Sequence, residues 1–139
     1  MSLYLLDTDS LSLYQQGHPR VVQQMLLHLT HRLAISVISV EEQLNGWQTA
    51  LRRARDAFGR ANLYLRMVQA VQVLSGLSVI PFSVPAMTTH EDLVRRRLNV
   101  GSNDLKIEAI ALDTGAIVVT RNRRDFGRVT GLLLEDWSL

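Results

Sequence analysis

Short apolar runs alternate along the chain with longer stretches whose apolar residues follow helical spacing. Each run is short enough to be a buried strand, and each longer stretch has one apolar face, as an amphipathic helix does. Alternating strands and helices indicate a parallel sheet with helices on both faces. The predicted strands are residues 3–6, 33–37, 77–82, 116–120 and 132–134.

Capping signals predict where the helices begin. Ser39 and Glu42 have the Ser-x-x-Glu form of a capping box, which predicts a helix start at Ser39. Thr88 is expected to open the helix that ends in three arginines, and Ser102 to open the helix that Gly115 closes. Further helices are predicted from Pro19, from about residues 60 to 74, and, as a turn or short helix, at residues 122–126.

Length and composition limit the class of protein. The 139 residues are predicted to form one domain spanning residues 1–139. Without cysteine, the chain excludes a disulfide scaffold, a thiolate zinc site and a cysteine nucleophile. No apolar run approaches the about 20 residues of a membrane span, and the N-terminus lacks the basic start of a signal peptide. We therefore expect a soluble cytoplasmic protein.

The basic residues are almost all arginine, which binds phosphate with two parallel hydrogen bonds better than lysine does. The 15 basic residues are nearly balanced by 13 acidic ones, so a general polyanion binder is not expected. The arginines occur in clusters, which are either solvated helix faces or a surface that binds an RNA backbone. The candidate RNA-binding residues are Arg95, Arg96, Arg97, Arg121, Arg123 and Arg124.

Acidic and amide side chains follow the ends of the predicted strands, where parallel sheets bind ligands. Asp104, at the start of a later helix, joins them only if that helix start folds back to the same edge. Each residue also has a purely local role open to it, as a turn residue, a cap or a surface acid. The group comprises Asp7, Asp9, Glu42, Asp104, Asn122 and Asp125.

Carboxylates brought within a few ångströms raise one another's pKa, and a hard divalent cation relieves that conflict. Mg²⁺ or Mn²⁺ can polarise a phosphoryl oxygen and generate hydroxide from a bound water. The acidic group therefore predicts hydrolysis of a phosphodiester without a nucleophile from the protein.

Four segments in order resemble the signatures of the PIN-domain family, most closely its VapC-type toxin ribonucleases. They are Leu-Leu-Asp-Thr-Asp at residues 5–9, Ile-Ser-Val-Ile-Ser-Val-Glu-Glu-Gln-Leu-Asn-Gly at 35–46, Val-Gly-Ser-Asn-Asp-Leu-Lys-Ile-Glu-Ala at 100–109, and Val-Val-Thr-Arg-Asn-Arg-Arg-Asp-Phe at 118–126. The ending Gly-Leu-Leu-Leu-Glu-Asp-Trp at 131–137 is also similar. The resemblance covers nearly the whole chain.

The resemblance implies a three-layer α/β/α fold with a five-stranded, mostly parallel sheet and a protruding helical pair. It implies a Mg²⁺- or Mn²⁺-dependent endoribonuclease that leaves 5′-phosphate and 3′-hydroxyl ends. Asp7, Glu42 and Asp104 match the metal-binding acids of the family, Asn122 its fourth position, and Thr120 the residue two before that. The family also suggests a homodimer that is inhibited by a small antitoxin protein, whose tail occupies the active-site groove.

The chain departs from the family pattern at two places. Asn122 is neutral, so a second metal position would be weak or partly supplied by Asp125. Lys106 and Glu108 stand where the family helix is usually apolar or small, and Glu108 lies one turn after Asp104 on the same face. Glu108 either tunes the metal or pairs with Lys106 or an arginine. Asp9, Asp125 and Glu108 are therefore auxiliary site candidates.

Two other functions remain open from the sequence. The neutral Asn122 would suit an inactive domain that binds RNA or a partner without cutting. Asp7-Thr-Asp9 after the first strand also resembles the motif of haloacid-dehalogenase-like phosphatases, although Leu11 does not fit that motif. RNA cleavage, metal-independent RNA binding and turnover of p-nitrophenyl phosphate distinguish the three functions.

Overall fold

The computed structural model describes residues 1–139 and contains five strands and seven helices. The strands are β1 (Leu3–Leu6), β2 (Arg32–Ser36), β3 (Ser78–Ile80), β4 (Ile117–Val119) and β5 (Leu133–Glu135). The helices are α1 (Thr8–Gln15), α2 (Pro19–Leu27), α3 (Val37–Arg53), α4 (Ala57–Leu74), α5 (Val84–Arg95), α6 (Ser102–Thr114) and α7 (Arg123–Phe126). No helix is both long and apolar enough to cross a membrane.

The strands form one sheet in the order β3-β2-β1-β4-β5, and every neighbouring pair is parallel. The chain builds outward from β1 to β3 and then crosses to β4 on the other side of β1. The strand order therefore reverses between β1 and β4. Such a reversal opens a crevice beyond the carboxyl ends of the two strands, and ligands of parallel sheets bind there.

Successive side chains of the central strands alternate between two apolar layers, as the period of a strand requires. Leu5 and Val118 pack on the face that α5 and α6 cover, whereas Leu6 and Val119 pack on the face that α1 and α2 cover. All four side chains are fully buried. The predicted three-layer α/β/α architecture with a five-stranded parallel sheet is confirmed.

Helices α3 and α4 form the predicted protruding pair. Helix α3 buries only Ile38 and Ser39, close to its start, and α4 buries only Ala70, close to its end. The ends that residues 54–56 connect therefore lie away from the core, and the two helices expose several large apolar side chains. These are Leu44, Phe58, Tyr64, Leu65, Val68 and Val71.

Helix α1 was not among the predicted elements. Its start is fixed by Asp7, whose carboxyl oxygen accepts a hydrogen bond of 2.8 Å from the backbone N–H of Ser10. Leu11 is fully buried against the sheet and anchors the helix. The segment is short and largely polar, so its helical period is weak in the sequence.

Two predicted helix starts are wrong because an earlier serine provides the cap. Ser36 caps α3 by accepting a 3.3 Å hydrogen bond from the N–H of Ser39, so Ser39 lies inside the helix. Ser83 caps α5 in the same way, five residues before the predicted start at Thr88. In both cases the helix begins within a few residues of the end of the preceding strand, earlier than the Ser-x-x-Glu and Thr-Thr signals indicated.

Candidate active site

Asp7 lies directly beyond β1 at the crevice between β1 and β4. Its backbone N–H donates to the carbonyl oxygen of Val119 at 3.0 Å, which ties it to the end of β4. The residue is only 4% exposed. Burial raises the pKa of the Asp7 carboxyl group, and the charge of Asp9 raises it further, whereas hydrogen bonds from Thr120 and Ser10 lower it. Asp7 is thus a buried, oriented carboxyl group at the reversal point of the sheet.

Thr120 follows β4 and is fully buried. Its hydroxyl oxygen accepts a 3.0 Å hydrogen bond from the backbone N–H of Asn122. The Asn122 side chain in turn caps α7, because it accepts from the N–H of Asp125 at 3.3 Å and donates to the Asp125 carboxylate at 3.1 Å. The neutral Asn122 is therefore hydrogen-bonded to an acidic residue, and the part of Asp125 in a second metal position stays a prediction.

Glu42 lies in the second turn of α3, and Thr8 holds its side chain. The Thr8 hydroxyl group donates a 2.7 Å hydrogen bond to Oε1 of Glu42 and lies 2.8 Å from the hydroxyl oxygen of Ser39. Glu42 is half-buried, whereas the neighbouring Glu41 is exposed. Glu42 is not the capping partner of Ser39, since Ser39 is not the cap. Thr8 was not predicted as a site residue, although it stands inside the Asp7-Thr-Asp9 motif.

Asp104 lies in the first turn of α6, and this helix start does reach the acidic edge of the sheet. Only two residues separate the end of α6 from the start of β4, and α6 packs along the sheet. The helix therefore runs opposite to β4, and its start lies toward the carboxyl end of that strand. The pKa of Asp104 is raised to about 6, first by burial and then by the charges of Asp7, Glu42 and Asp125. The charges that act on Asp104 therefore come from three other segments of the chain, and we call these four acids the acidic cluster.

Glu108 extends the cluster inward along α6. It has no exposed surface, and neither carboxyl oxygen has a hydrogen-bond partner. Its pKa is raised to about 8 by burial and by the charges of Asp104 and Asp125. Of the two roles left open for Glu108, pairing with Lys106 or an arginine is wrong, because none of the ion pairs includes Glu108.

Asp9 forms an ion pair with Arg121, an arginine that follows β4. Arg121 donates to both of its carboxylate oxygens, at 2.6 and 3.1 Å. About half of each of these two side chains is exposed. Asp9 is therefore neutralised at the rim of the crevice, and Arg121 is held beside Asp7.

The remaining candidate RNA-binding arginines are exposed. Arg95, Arg96 and Arg97 lie at the end of α5 and in the loop that leads to α6, so they precede Asp104 by a few residues. Arg96 pairs with Asp92 at 2.7 Å. Arg123 and Arg124 lie on α7, next to Asn122.

The donor set of the cluster fits a hard divalent cation by its chemistry. Its acidic side chains offer oxygen atoms, the charges of neighbouring acids raise the pKa of Asp104 and of Glu108, and the buried carboxyl of Glu108 is unpaired. As the side chains stand, no group of three or more His, Cys, Asp or Glu residues forms a complete metal-binding set.

A cavity of about 460 Å³ lies between α1, α3 and α4, separate from the acidic cluster. Its lining includes Gln15, Gln43, Gly46, Trp47 and Arg66. Because Gly46 is one turn after Glu42 on α3, the cavity begins beside the acidic crevice. It is an open, mixed polar and apolar groove next to the candidate active site.

No family model matches the chain. Ribonuclease VapC1 of Haemophilus influenzae is 26% identical to it over 143 residues, with 98% of each chain covered. The tRNA(fMet)-specific endonuclease VapC of Salmonella typhimurium is 28% identical over 141 residues, with 99% of each covered. These similarities extend over nearly the whole chain.

Solved structures show the same fold. A chain of the VapBC2 complex of Rickettsia felis, bound to a promoter DNA fragment, superposes with a TM-score of 0.80 at 26% identity and covers 97% of this chain and 98% of its own. A chain of DNA-bound VapBC from Salmonella typhimurium gives 0.79 at 25% identity, with 99% of each chain covered. The predicted resemblance is thereby confirmed.

Proposed function

We propose that this protein, a VapC-type PIN-domain protein by sequence and fold, is an endoribonuclease that hydrolyses RNA with a Mg²⁺ or Mn²⁺ ion. Asp7, Glu42 and Asp104 would hold the ion, and cleavage would leave 5′-phosphate and 3′-hydroxyl ends. One observation carries the proposal: these three acids come from distant segments and meet at the crevice where the strand order reverses. The full-length similarity to named ribonucleases supports it.

The side chains around the cluster prepare it for this chemistry. A divalent cation bound there would polarise a phosphoryl oxygen and acidify a water molecule. Asp7 is oriented by the N–H of Ser10, and Glu42 by the hydroxyl group of Thr8. Asn122 and Asp125, joined by a hydrogen bond, form the wall of the crevice on the β4 side. Hydrogen bonds thus orient Asp7 and Glu42 before substrate arrives, which would reduce the cost of assembling the site.

Exposed arginines around the crevice would hold the RNA backbone. Arg95, Arg96 and Arg97 lie just before Asp104, and Arg123 and Arg124 lie just after Asn122. These arginines therefore flank the acidic cluster on both sides in sequence. Their charge would offset the repulsion between the acidic cluster and phosphate, and would make RNA binding depend on salt.

We further propose that the protein is the toxin of a toxin–antitoxin pair and that it forms a homodimer. The neighbouring structures are VapBC toxin–antitoxin complexes, two of them bound to DNA. By analogy, a small VapB-type antitoxin would cover the crevice and the adjoining groove between α1, α3 and α4. The exposed apolar side chains of α4, such as Phe58 and Val71, are suited to contact with a second copy or with the antitoxin.

A non-catalytic RNA-binding domain is the second candidate, because Asn122 is neutral and the acids do not form a complete metal-binding set as they stand. The experiment is a cleavage assay on labelled RNA with Mg²⁺ and with EDTA, for the wild type, Asp104→Ala and Asp113→Ala. Asp113 is an exposed acid on the same helix and is the matched control.

We expect cleavage that needs Mg²⁺, is lost in Asp104→Ala and persists in Asp113→Ala. RNA binding without cleavage, unaffected by EDTA, would favour the non-catalytic domain. Turnover of p-nitrophenyl phosphate without RNA cleavage would favour a phosphatase.

A further inference from the structure

Glu108 is a buried acid without the hydrogen bonds that the other buried acid of this protein receives. Its exposed fraction is 0%, and both carboxyl oxygens lack hydrogen-bond partners. Asp7, the other buried acid, accepts a hydrogen bond from the N–H of Ser10. A buried polar group without a partner destabilises a fold, and it calls for an explanation in each case.

No cation of the protein neutralises Glu108. The three ion pairs are Arg96–Asp92, Arg121–Asp9 and Arg128–Asp125. The charges that act on Glu108 belong to Asp104 and Asp125, so its surroundings are acidic. Glu108 is therefore a buried, unpaired acid among other acids. The protein supplies no positive partner for it, and a cation from solution would supply one.

We propose that Glu108 is a fourth acidic partner of the divalent cation held by Asp7, Glu42 and Asp104, and that it acts as a positioning residue for that cation. This inference rests on the proposed function, since it requires the same cation. Glu108 lies one helical turn deeper than Asp104 on the same face of α6, so it supports the cation site from below. The residue makes the metal-free fold less stable and the cation-bound protein more stable.

The test is the affinity of the intact protein for Mn²⁺, measured by calorimetry on the wild type, Glu108→Gln, Glu108→Ala and the control Asp113→Asn. The dissociation constant should rise by about tenfold or more in both Glu108 variants, as is typical when a group that supports a metal site is removed, and should not change in Asp113→Asn. Without metal, Glu108→Gln, which keeps the volume of the side chain, should melt at or above the wild-type temperature.

An unchanged Mn²⁺ affinity in folded Glu108→Gln and Glu108→Ala would overturn the inference. Unfolding of both variants would also contradict it, because the carboxyl group would then stabilise the metal-free fold. If the wild type binds no Mn²⁺, the inference and the proposed function fail together. If Mn²⁺ binds and Glu108 matters but no RNA is cut, only the proposed function fails.

Discussion

Thr8 donates a hydrogen bond of 2.7 Å from its hydroxyl group to Glu42, which lies 34 residues later in the chain. Thr8 is the first residue of α1 and directly follows Asp7, so a single segment positions two acids of the cluster: Asp7 directly and Glu42 through Thr8. The same hydroxyl group also contacts Ser39 at 2.8 Å. Glu42 therefore depends on α1 for its orientation.

Replacing Thr8 by valine should slow RNA cleavage by about tenfold or more, because loss of a hydrogen bond to a metal-binding carboxylate weakens such sites by 10- to 100-fold. Initial cleavage rates at saturating Mg²⁺ and at limiting Mg²⁺ measure the effect, which should be larger at limiting Mg²⁺. Thr8→Ser keeps the hydroxyl group and should retain most of the activity. Equal rates for Thr8→Val and the wild type would remove Thr8 from the site.

The stability of the metal-free protein should fall as the pH rises from about 5 to about 8. The folded-state pKa values of Asp104 (about 6) and Glu108 (about 8) lie above the ordinary carboxyl values, so in this range the folded protein binds more protons than the unfolded chain. Stability decreases with pH wherever the folded state holds the additional protons. Thermal melts in EDTA across this range measure the slope.

Glu108→Gln is the control for that slope, and it should flatten the decrease, above all between pH 6 and 8. Groups that titrate in both proteins contribute equally to the two slopes and cancel in the comparison. His90, whose pKa is lowered by burial, is one such group. Saturating Mn²⁺ should also reduce the decrease in the wild type, because the cation favours the ionised carboxylates. A wild-type slope identical to that of Glu108→Gln would contradict the coupling of Glu108 to the cluster.

Asn122→Asp should make the protein more dependent on metal. Aspartate can still cap α7, so the helix start is preserved. The new carboxylate would, however, lie beside Asp125, where Asn122 now donates a hydrogen bond at 3.1 Å. We expect a lower melting temperature in EDTA than for the wild type, and a larger increase on addition of Mn²⁺. Asn122→Ala, which removes the cap, should instead lower stability by about 1 kcal/mol with and without metal.

Replacing Arg95, Arg96 and Arg97 together by glutamine should weaken RNA binding and reduce its dependence on salt. Each lost phosphate contact should lower the slope of log affinity against log salt by about 1. Binding is measured with the inactive Asp104→Ala protein as background, so that the RNA stays intact. Arg32→Gln is the control, because Arg32 starts β2 at the opposite, amino edge of the sheet. Unchanged binding at every salt concentration would leave these arginines as a solvated surface.

The sequence predicted the sheet because the sheet follows from local patterns, whereas the roles of the acids stay a prediction. Apolar runs separated by amphipathic helices specify a parallel sheet, and such a sheet collects Asp7 and Asn122 at its carboxyl edge. The position of Asp104 at this edge was predicted only on a condition, because it depends on the direction in which α6 packs. That direction follows from the tertiary fold and not from the residues around Asp104.

The exact helix starts and the burial of Glu108 could not be predicted from local patterns. Ser36 and Ser39 offer the same capping chemistry, and the end of β2 at Ser36 decides between them. Pairing in the sheet sets that end, so a local motif cannot identify it. Likewise, the complete burial of Glu108 reflects the packing of α6 against the sheet, which the residues around it in the sequence do not specify.

The most direct test of the acidic cluster as a cation site is the initial rate of RNA cleavage as a function of Mn²⁺ concentration, for the wild type and Glu42→Gln. A cation site at the acidic cluster predicts no cleavage in EDTA, a saturable increase with Mn²⁺ for the wild type, and a half-saturating concentration at least about tenfold higher for Glu42→Gln. Cleavage in EDTA at the Mn²⁺-saturated rate, or the same half-saturating concentration for both proteins, would contradict it.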